Sequence, residues 1–441
     1  MKRSAFIFIS LTAIVILLAS QSAAFGQATP SSLAGAISFY VFGDSAEKAA
    51  YTTLVAAFNQ RYPAVTVNLV YTPGEDEMHA VGEEDAYRAR LSLDFASSKP
   101  PDVFLMNYRE YRIFSEKDAI QPVGPYLDKS SVIKAGDFYA QALAPFMRNG
   151  TLDCVPQNIS GTVVYYNKTL FDKAKLSYPK DGWTWDDFVK DATAMTLFSA
   201  DGKTNQYGAG IDPSFARLMP FIWENGGDLL DKPDAPTRLT LDSPAAKAAF
   251  QWFVDLQGKD RVTPDETLVN AEGIQERFLD GTEGMILFSR RLVPSLRQVS
   301  FDWDVAPLPA PAGKPSATLL YSDGYCMAKG SQNKDAAWAL IEYANSPDGQ
   351  SLLGRTGRTV PSLKAVAQSP AFLDPIAKPN NSQLFLDLIA NGRTSPVLDN
   401  WADIEEAVNQ GIEGAFYGDM SVDEAVTSIL DNTKSYFAPA K

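Results

Sequence analysis

The chain has 441 residues and a formal net charge of -14, with 45% hydrophobic and 21% charged residues. That length and apolar content suit more than one globular domain, whereas the acidic balance argues against nucleic acid or an anionic membrane as ligand, since both are held by clustered Lys and Arg. With one histidine, His79, and two distant cysteines, Cys154 and Cys326, a His-based triad would depend on a residue in an acidic stretch, and a zinc site lacks its usual ligand spacing.

Lys2 and Arg3 precede an apolar run over residues 5–18, followed by small residues at 22–24 and 26–28. This is the layout of a cleaved export signal over residues 1–28, and the run is short of the ~20 residues a spanning helix needs. No cysteine lies near the cleavage region, so the expectation is a soluble periplasmic protein without a lipid anchor. Residues 36–42 then read as a strand and 46–62 as a helix with Tyr51, Leu54, Val55, Phe58 and Tyr62 on one face, ended by Pro63. Val65, Val67 and Leu69 alternate as a half-buried strand, a helix carries Tyr87 and Leu91, and residues 102–106 form a buried strand. Strand, helix, strand, helix, strand predicts an α/β lobe with a largely parallel sheet, whose ligand loops fall at 42–45 and 107–109. The acidic stretch 74–85 lacks calcium-loop spacing and reads as a solvated surface loop.

Residues 152–156 read as a strand that runs through Pro156 into a polar bend at 157–161, and 163–166 as a second strand. Thr184 with Asp187, and Ser421 with Glu424, match the capping-box pattern of a helix start. Trp183 and Trp185 beside the first of these read as packing staples rather than sugar-stacking rings. Further helices are predicted at 245–257, 335–345 and 403–416. Pro307, Pro309, Pro311 and Pro315 make 306–316 the best linker by composition.

No nucleophile elbow, Walker loop or dinucleotide fingerprint occurs. Paired carboxylates remain as the chemistry of a different class: a secreted glycoside hydrolase would need two acids ~5 to 9.5 Å apart, with Asp323 and Glu224 the first pair to examine. A secreted adhesin would instead show no deep cleft.

Several segments in a fixed order carry a family resemblance: 43–45, 101–106, 152–171, 182–188, 226–228, 241–244, 278–285, 301–309, 335–343 and 357–361. Together they resemble the family 1 extracellular solute-binding proteins of ABC importers, especially the carbohydrate-binding group typified by maltose- and glycerol-phosphate-binding proteins. The resemblance implies a periplasmic-binding-protein fold, two α/β lobes joined by hinge crossings around a central cleft. It implies an N-terminal lobe of 29–157 plus 327–375 and a C-terminal lobe of 158–322 plus 376–441, with crossings at 155–161, 319–327 and near 368–380. Cys154 and Cys326 would lie on neighbouring crossing strands, where a disulfide and two buried thiols are both conceivable.

By the same resemblance the ligand contacts fall on Asp44, Ser45, Asn107, Tyr108, Arg109, Ser160, Gly161, Arg217, Ser289, Arg290, Arg291, Tyr321, Asp323, Arg358 and Trp401. Trp401 or Tyr108 would stack on a sugar ring, although Trp401 also begins a helix with Ile404 and Val408 and could serve its core. Arg290 or Arg291 stands where maltodextrin-binding relatives carry a stacking tryptophan, and Arg109 where they carry an acid. These departures suggest a smaller or acidic ligand, such as a uronate or a glycerol phosphate diester. The expected partners are a sugar-like small molecule and the membrane permease of an importer. No cofactor, metal or catalytic residue is expected, and the chain is expected to act as a monomer.

Overall fold

The computed structural model describes residues 33–73, 83–199, 204–233 and 235–437. The export signal, His79 and most of the acidic stretch lie outside the described residues. In chain order the elements that build the site are β1 (Gly35–Gly43), α1 (Ser45–Arg61), β2 (Val65–Pro73), α2 (Glu83–Ala96), β3 (Val103–Asn107) and β4 (Ile120–Gln121). They continue with β5 (Cys154–Pro156), β6 (Ser160–Gly161), β7 (Val163–Asn167), α3 (Trp185–Met195), α4 (Phe215–Glu224) and α5 (Pro244–Gly258). Next come β8 (Met285–Phe288), β9 (Trp303–Ala306), β10 (Leu320–Tyr321), β11 (Asp323–Ala328), α6 (Lys334–Ala344) and α7 (Pro347–Gly354), and finally α8 (Trp401–Phe416) and α9 (Val422–Thr433).

The first lobe is the expected alternation of strand and helix. β1 pairs in parallel with both β2 and β3, and α1 buries Tyr51, Leu54, Val55 and Phe58 against them. All five residues of β3 are buried, which explains its unbroken apolar pattern: strands flank it and helices cover it. The sheet is mixed rather than largely parallel. β11 runs antiparallel to β3, β4 and β5, giving the order β2-β1-β3-β11-β4 with β5 also on β11. A strand that returns from elsewhere in the chain leaves no local mark, so sequence periodicity could not show this.

In the second lobe β7 lies between β8 and β9, antiparallel to both. One face packs on a core that includes Phe188, Phe221, Phe253, Trp401 and Ile412 from α3, α4, α5 and α8. Both predicted capping boxes form, at Thr184–Asp187 and Ser421–Glu424. The first half of the proline-rich segment is not a linker: residues 303–310 are buried, and the indole Nε1 groups of Trp183 and Trp185 donate to Pro307 O (2.9 Å) and Pro309 O (3.1 Å), while 311–316 form an exposed to half-exposed loop. Proline lacks a donor but keeps its carbonyl, and the two tryptophans use it.

Two of the connections between the lobes are short, β5 to β6 through 157–159 and β10 to β11 through Ser322, and the chain passes to the second lobe once more between α7 and α8. The two short crossings are bonded to each other: Gln157 N donates to Asp323 O (2.7 Å), Asp323 N to Asn158 Oδ1 (3.0 Å) and Ser322 Oγ to Asn158 O (2.7 Å). A further extended segment, 359–363, runs beside the first crossing, with Ile159 N donating to Val360 O (2.9 Å). Cys154 and Cys326 face each other across β5 and β11 and form a disulfide, with Cα atoms 4.4 Å apart. Among the described residues no helix is long and apolar enough to cross a membrane.

Candidate functional site

A cleft of about 320 Å³ opens between the lobes, lined by Asp44, Ser45, Phe288, Arg291, Gln298 and Arg358 among others. Its position follows from the topology, because β1 ends at Gly43 and β8 at Phe288, and Asp44 and Arg291 shortly beyond them line the cleft. Gly43 has φ +148°, and a Cβ there would lie 1.8 Å from the Glu47 carboxylate, so this turn requires glycine. Asp44 then has two tasks. One oxygen caps α1 by accepting from Glu47 N (2.8 Å), and the other pairs with Arg358 Nη1 (2.8 Å).

From this corner a chain of polar contacts runs through the molecule. Arg358 also lies 2.7 Å from Glu47 Oε2, and burial pushes that carboxyl upward against the pull of Arg358. Arg291 Nη2 donates to Asp323 Oδ2 (3.0 Å), which also accepts from Asn158 Nδ2 (2.9 Å), while Asp323 Oδ1 accepts from Asn107 Nδ2 (3.0 Å). Asn107 Oδ1 accepts the Arg109 backbone N–H (3.1 Å). Arg109 reaches out of the first lobe to Glu405 of α8 (2.9 Å), with its guanidinium 5.5 Å from the Tyr321 ring centre. Tyr321 in turn accepts from Arg217 Nη1 (2.9 Å), whose guanidinium lies over Phe288.

Of the residues expected from sequence, the structure therefore gathers Asp44, Ser45, Asn107, Arg109, Arg217, Arg291, Tyr321, Asp323 and Arg358 around the cleft and its supporting network. The others pack beside or behind it. Ser160 and Gly161 form β6, where Ser160 Oγ accepts from Arg290 N (3.3 Å), and Ser289 caps the turn that follows β8. Tyr108 is fully buried, its hydroxyl shared between Leu320 O (3.0 Å) and Ser395 (3.0 Å). Arg290 is also fully buried, between the rings of Phe372 (4.4 Å) and Phe385 (4.8 Å), and it donates to Gly357 O and Ser382 Oγ. Burial works against its charge, which the two ring faces and the two acceptors offset. Trp401 has no exposed surface and stacks on Phe215 at 5.9 Å, in the core of the second lobe.

The structure adds residues that sequence reading passed over. Glu47 is one helical turn beyond Asp44, and Glu405 lies four residues after Trp401 on the same helix face. Both spacings were visible, but each looked like an ordinary helix carboxylate.

The carboxylates considered for glycoside hydrolysis are both occupied. Asp323 holds the crossings as described. Glu224 accepts from Trp185 Nε1 (3.2 Å) and Ala317 N (3.0 Å), and burial raises its pKa well above the usual carboxylate value. Among the described residues no group of three His, Cys, Asp or Glu side chains could hold a metal ion.

Residues 43–351 match the family described as bacterial extracellular solute-binding protein. A Brucella abortus protein described as a binding protein is 22% identical over 370 residues, 82% of this chain and 83% of the relative. The fold is similar to that of an ABC substrate-binding protein from Listeria monocytogenes in complex with cycloalternan (TM-score 0.81, 23% identity, 91% of this chain and 98% of that one). It is also similar to maltose-bound MalE3 of T. maritima (TM-score 0.76, 23% identity, 91% and 99%). A third similar structure is the GacH receptor of Streptomyces glaucescens, solved unliganded and with acarbose (TM-score 0.77, 22% identity, 93% and 100%).

Proposed function

Because the chain belongs to the bacterial extracellular solute-binding proteins, we propose that it captures a sugar or short oligosaccharide between its lobes and delivers it to an importer's membrane permease. The observation that carries this reading is the interlobe cleft, lined by the polar side chains of Asp44, Ser45, Arg291, Gln298 and Arg358. Sugar hydroxyls both donate and accept, and a paired carboxylate and guanidinium offer both complements on one rigid edge. A cleft of about 320 Å³ fits one or two sugar units better than a long chain. The sugars named with the Listeria, T. maritima and Streptomyces proteins support the same ligand class.

In this reading Asp44, Ser45, Arg291 and Arg358 touch the ligand, while Asn107, Arg109, Tyr321 and Asp323 hold them in place. The protein works by closure: a ligand that contacts both lobes favours the closed state by its differential affinity, and that state engages the permease. Export to the periplasm by removal of residues 1–28 and action as a monomer belong to the same proposal.

The test is thermal unfolding of the chain from Thr29 onward against mono- and oligosaccharides, glycerol phosphates and uronates, with each ligand recovered and analysed afterwards. A sugar at 100 times its dissociation constant adds about 2.7 kcal/mol to the native state. A shift with the sugar recovered intact supports capture. Recovery of cleaved sugar overturns it in favour of hydrolysis, and silence toward every sugar overturns the ligand class.

A further inference from the structure

We infer that Gln275 and Gln298 are the ligand-reading side chains of the second lobe, and that the cleft they complete selects an uncharged sugar over its acidic counterpart. The inference rests on the sugar-binding reading and deepens it, because it names the charge class of the sugar and the residues that read it.

The surplus of guanidinium in the sequence suggests an acidic ligand, but both arginines that line the cleft are already matched. Arg358 lies against Asp44 (2.8 Å) and Glu47 (2.7 Å), and Arg291 against Asp323 (3.0 Å). Glu47 and Asp323 are each 4% exposed, so neither regains water if its arginine is drawn away. A uronate or phosphate that took one of these guanidinium groups would leave a buried carboxylate without its counter-charge and set a further negative charge beside it. A neutral sugar leaves both matches intact.

What a neutral sugar needs is a set of donors and acceptors that carry no charge, and the second lobe supplies them. Besides Arg291, its polar side chains in the cleft are Gln275, Ser295 and Gln298. Among the described residues neither glutamine amide has a hydrogen-bond partner within the protein, so the NH2 and the carbonyl of each are open to hydroxyl groups. Their backbones are nevertheless fixed. Gln275 lies in the short helix Ile274–Leu279, whose Ile274 and Phe278 are buried in one core cluster with Leu292 and Leu296. Gln298 N donates to Ser295 O (3.0 Å), and the Arg297 side chain before it donates to Lys378 O (2.9 Å) and Thr356 O (3.3 Å). Asp44 and Ser45 line the same cleft from the first lobe. A sugar seated on them gains the two amides as the lobes approach, which is the differential affinity that closure requires.

Calorimetry tests this with glucose and glucuronate, galactose and galacturonate, and galactobiose and digalacturonate. The proteins are the wild type, Gln275→Ala, Gln298→Ala, Gln275→Lys and Gln298→Lys, each first shown to unfold cooperatively without added sugar. Gln275 is half-buried and Gln298 exposed, so the core is left alone. The wild type is expected to bind each acid about tenfold or more weakly than its neutral counterpart, and each alanine variant to bind the neutral sugars about three- to tenfold more weakly than the wild type. Each lysine variant is expected to bind uronate about tenfold more tightly while losing neutral sugar, because an unmatched cation replaces the amide; damage to the fold would weaken both. A wild type that binds uronate as tightly as neutral sugar overturns the charge class. Alanine variants that both stay within about twofold of the wild type overturn the role of the glutamines. Either result leaves sugar capture standing. Where an alanine variant does not fold, the lysine variant at that position decides, and an unchanged ratio of acid to neutral affinity there overturns the inference. Silence of the folded wild type toward all these sugars overturns the sugar-binding reading, and this inference with it.

Discussion

Asp323→Ala tests whether the polar network at the crossings is a structural requirement or an incidental arrangement. The carboxylate is buried, and it accepts from Asn107 Nδ2 (3.0 Å), Asn158 Nδ2 (2.9 Å) and Arg291 Nη2 (3.0 Å). Removing it takes an acceptor from one guanidinium and two amides, of which Asn158 keeps Gln157 Oε1 (3.0 Å). Breaking a buried ion pair from one side costs roughly 3–5 kcal/mol, and the Asn107 amide that loses this acceptor adds roughly 1 kcal/mol. These terms overlap, and Arg291 keeps 15% of its side-chain surface in water, so the expected loss is about 4 kcal/mol. Asp323→Asn retains one acceptor and the shape, and should lose about half as much. Urea unfolding followed by tryptophan fluorescence measures both, and sugar affinity should fall in the same order because Arg291 loses its orientation. A loss below about 1 kcal/mol for Asp323→Ala, with an unchanged denaturant slope, would refute the claim that Asp323 holds the crossings together.

Burial pushes the Glu283 carboxyl up to about 8 despite its contact with Arg277 (3.2 Å), so the fold favours its protonated form. Its contribution is complete below the ordinary value near 4.5 and is lost as pH rises toward 8; Glu283→Gln should flatten the decline in melting temperature between pH 5 and 8, and parallel curves would contradict this. Replacing Cys154 and Cys326 by alanine frees a loop with a sequence separation of 172 and should lower stability by about 3–5 kcal/mol in denaturant titration, while a change under about 1 kcal/mol would count against a structural disulfide. Gly43→Ala places a side chain at φ +148° and against Glu47, and should cost about 1–3 kcal/mol and weaken sugar binding; unaltered stability and affinity would show that the turn tolerates a Cβ.

Elements whose stability is local were readable from the sequence. The apolar face of α1 and the two capping boxes depend on residues within one or two turns, and all appear where the pattern puts them. What escaped depends on partners far along the chain. β11 inserts between β3 and β4 from more than 200 residues away, and residues 307–310 look like a linker until two indoles are seen to bind their carbonyls. The site was legible to the same extent. Asp44 follows β1 and Asn107 ends β3, so both were found from topology, while Arg290 and Arg291 are neighbours that sequence could not tell apart. One is sealed between two phenylalanine rings and the other lines the cleft. Glu405 was missed because its meaning comes from the lobe opposite.

The Cys154–Cys326 bond ties together the two strands between which the chain leaves the first lobe and comes back. Every residue from 155 to 325 thus belongs to a covalent ring hung from one rung of the first sheet. A protease that cuts once inside that ring makes two polypeptides but does not release either of them. Such a nicked molecule should migrate as one species until a reductant is added, and then as two. The part of the second lobe inside the ring thus tolerates a single cut, whereas the chain beyond Ala328, which carries α8 and α9 of the same lobe, does not.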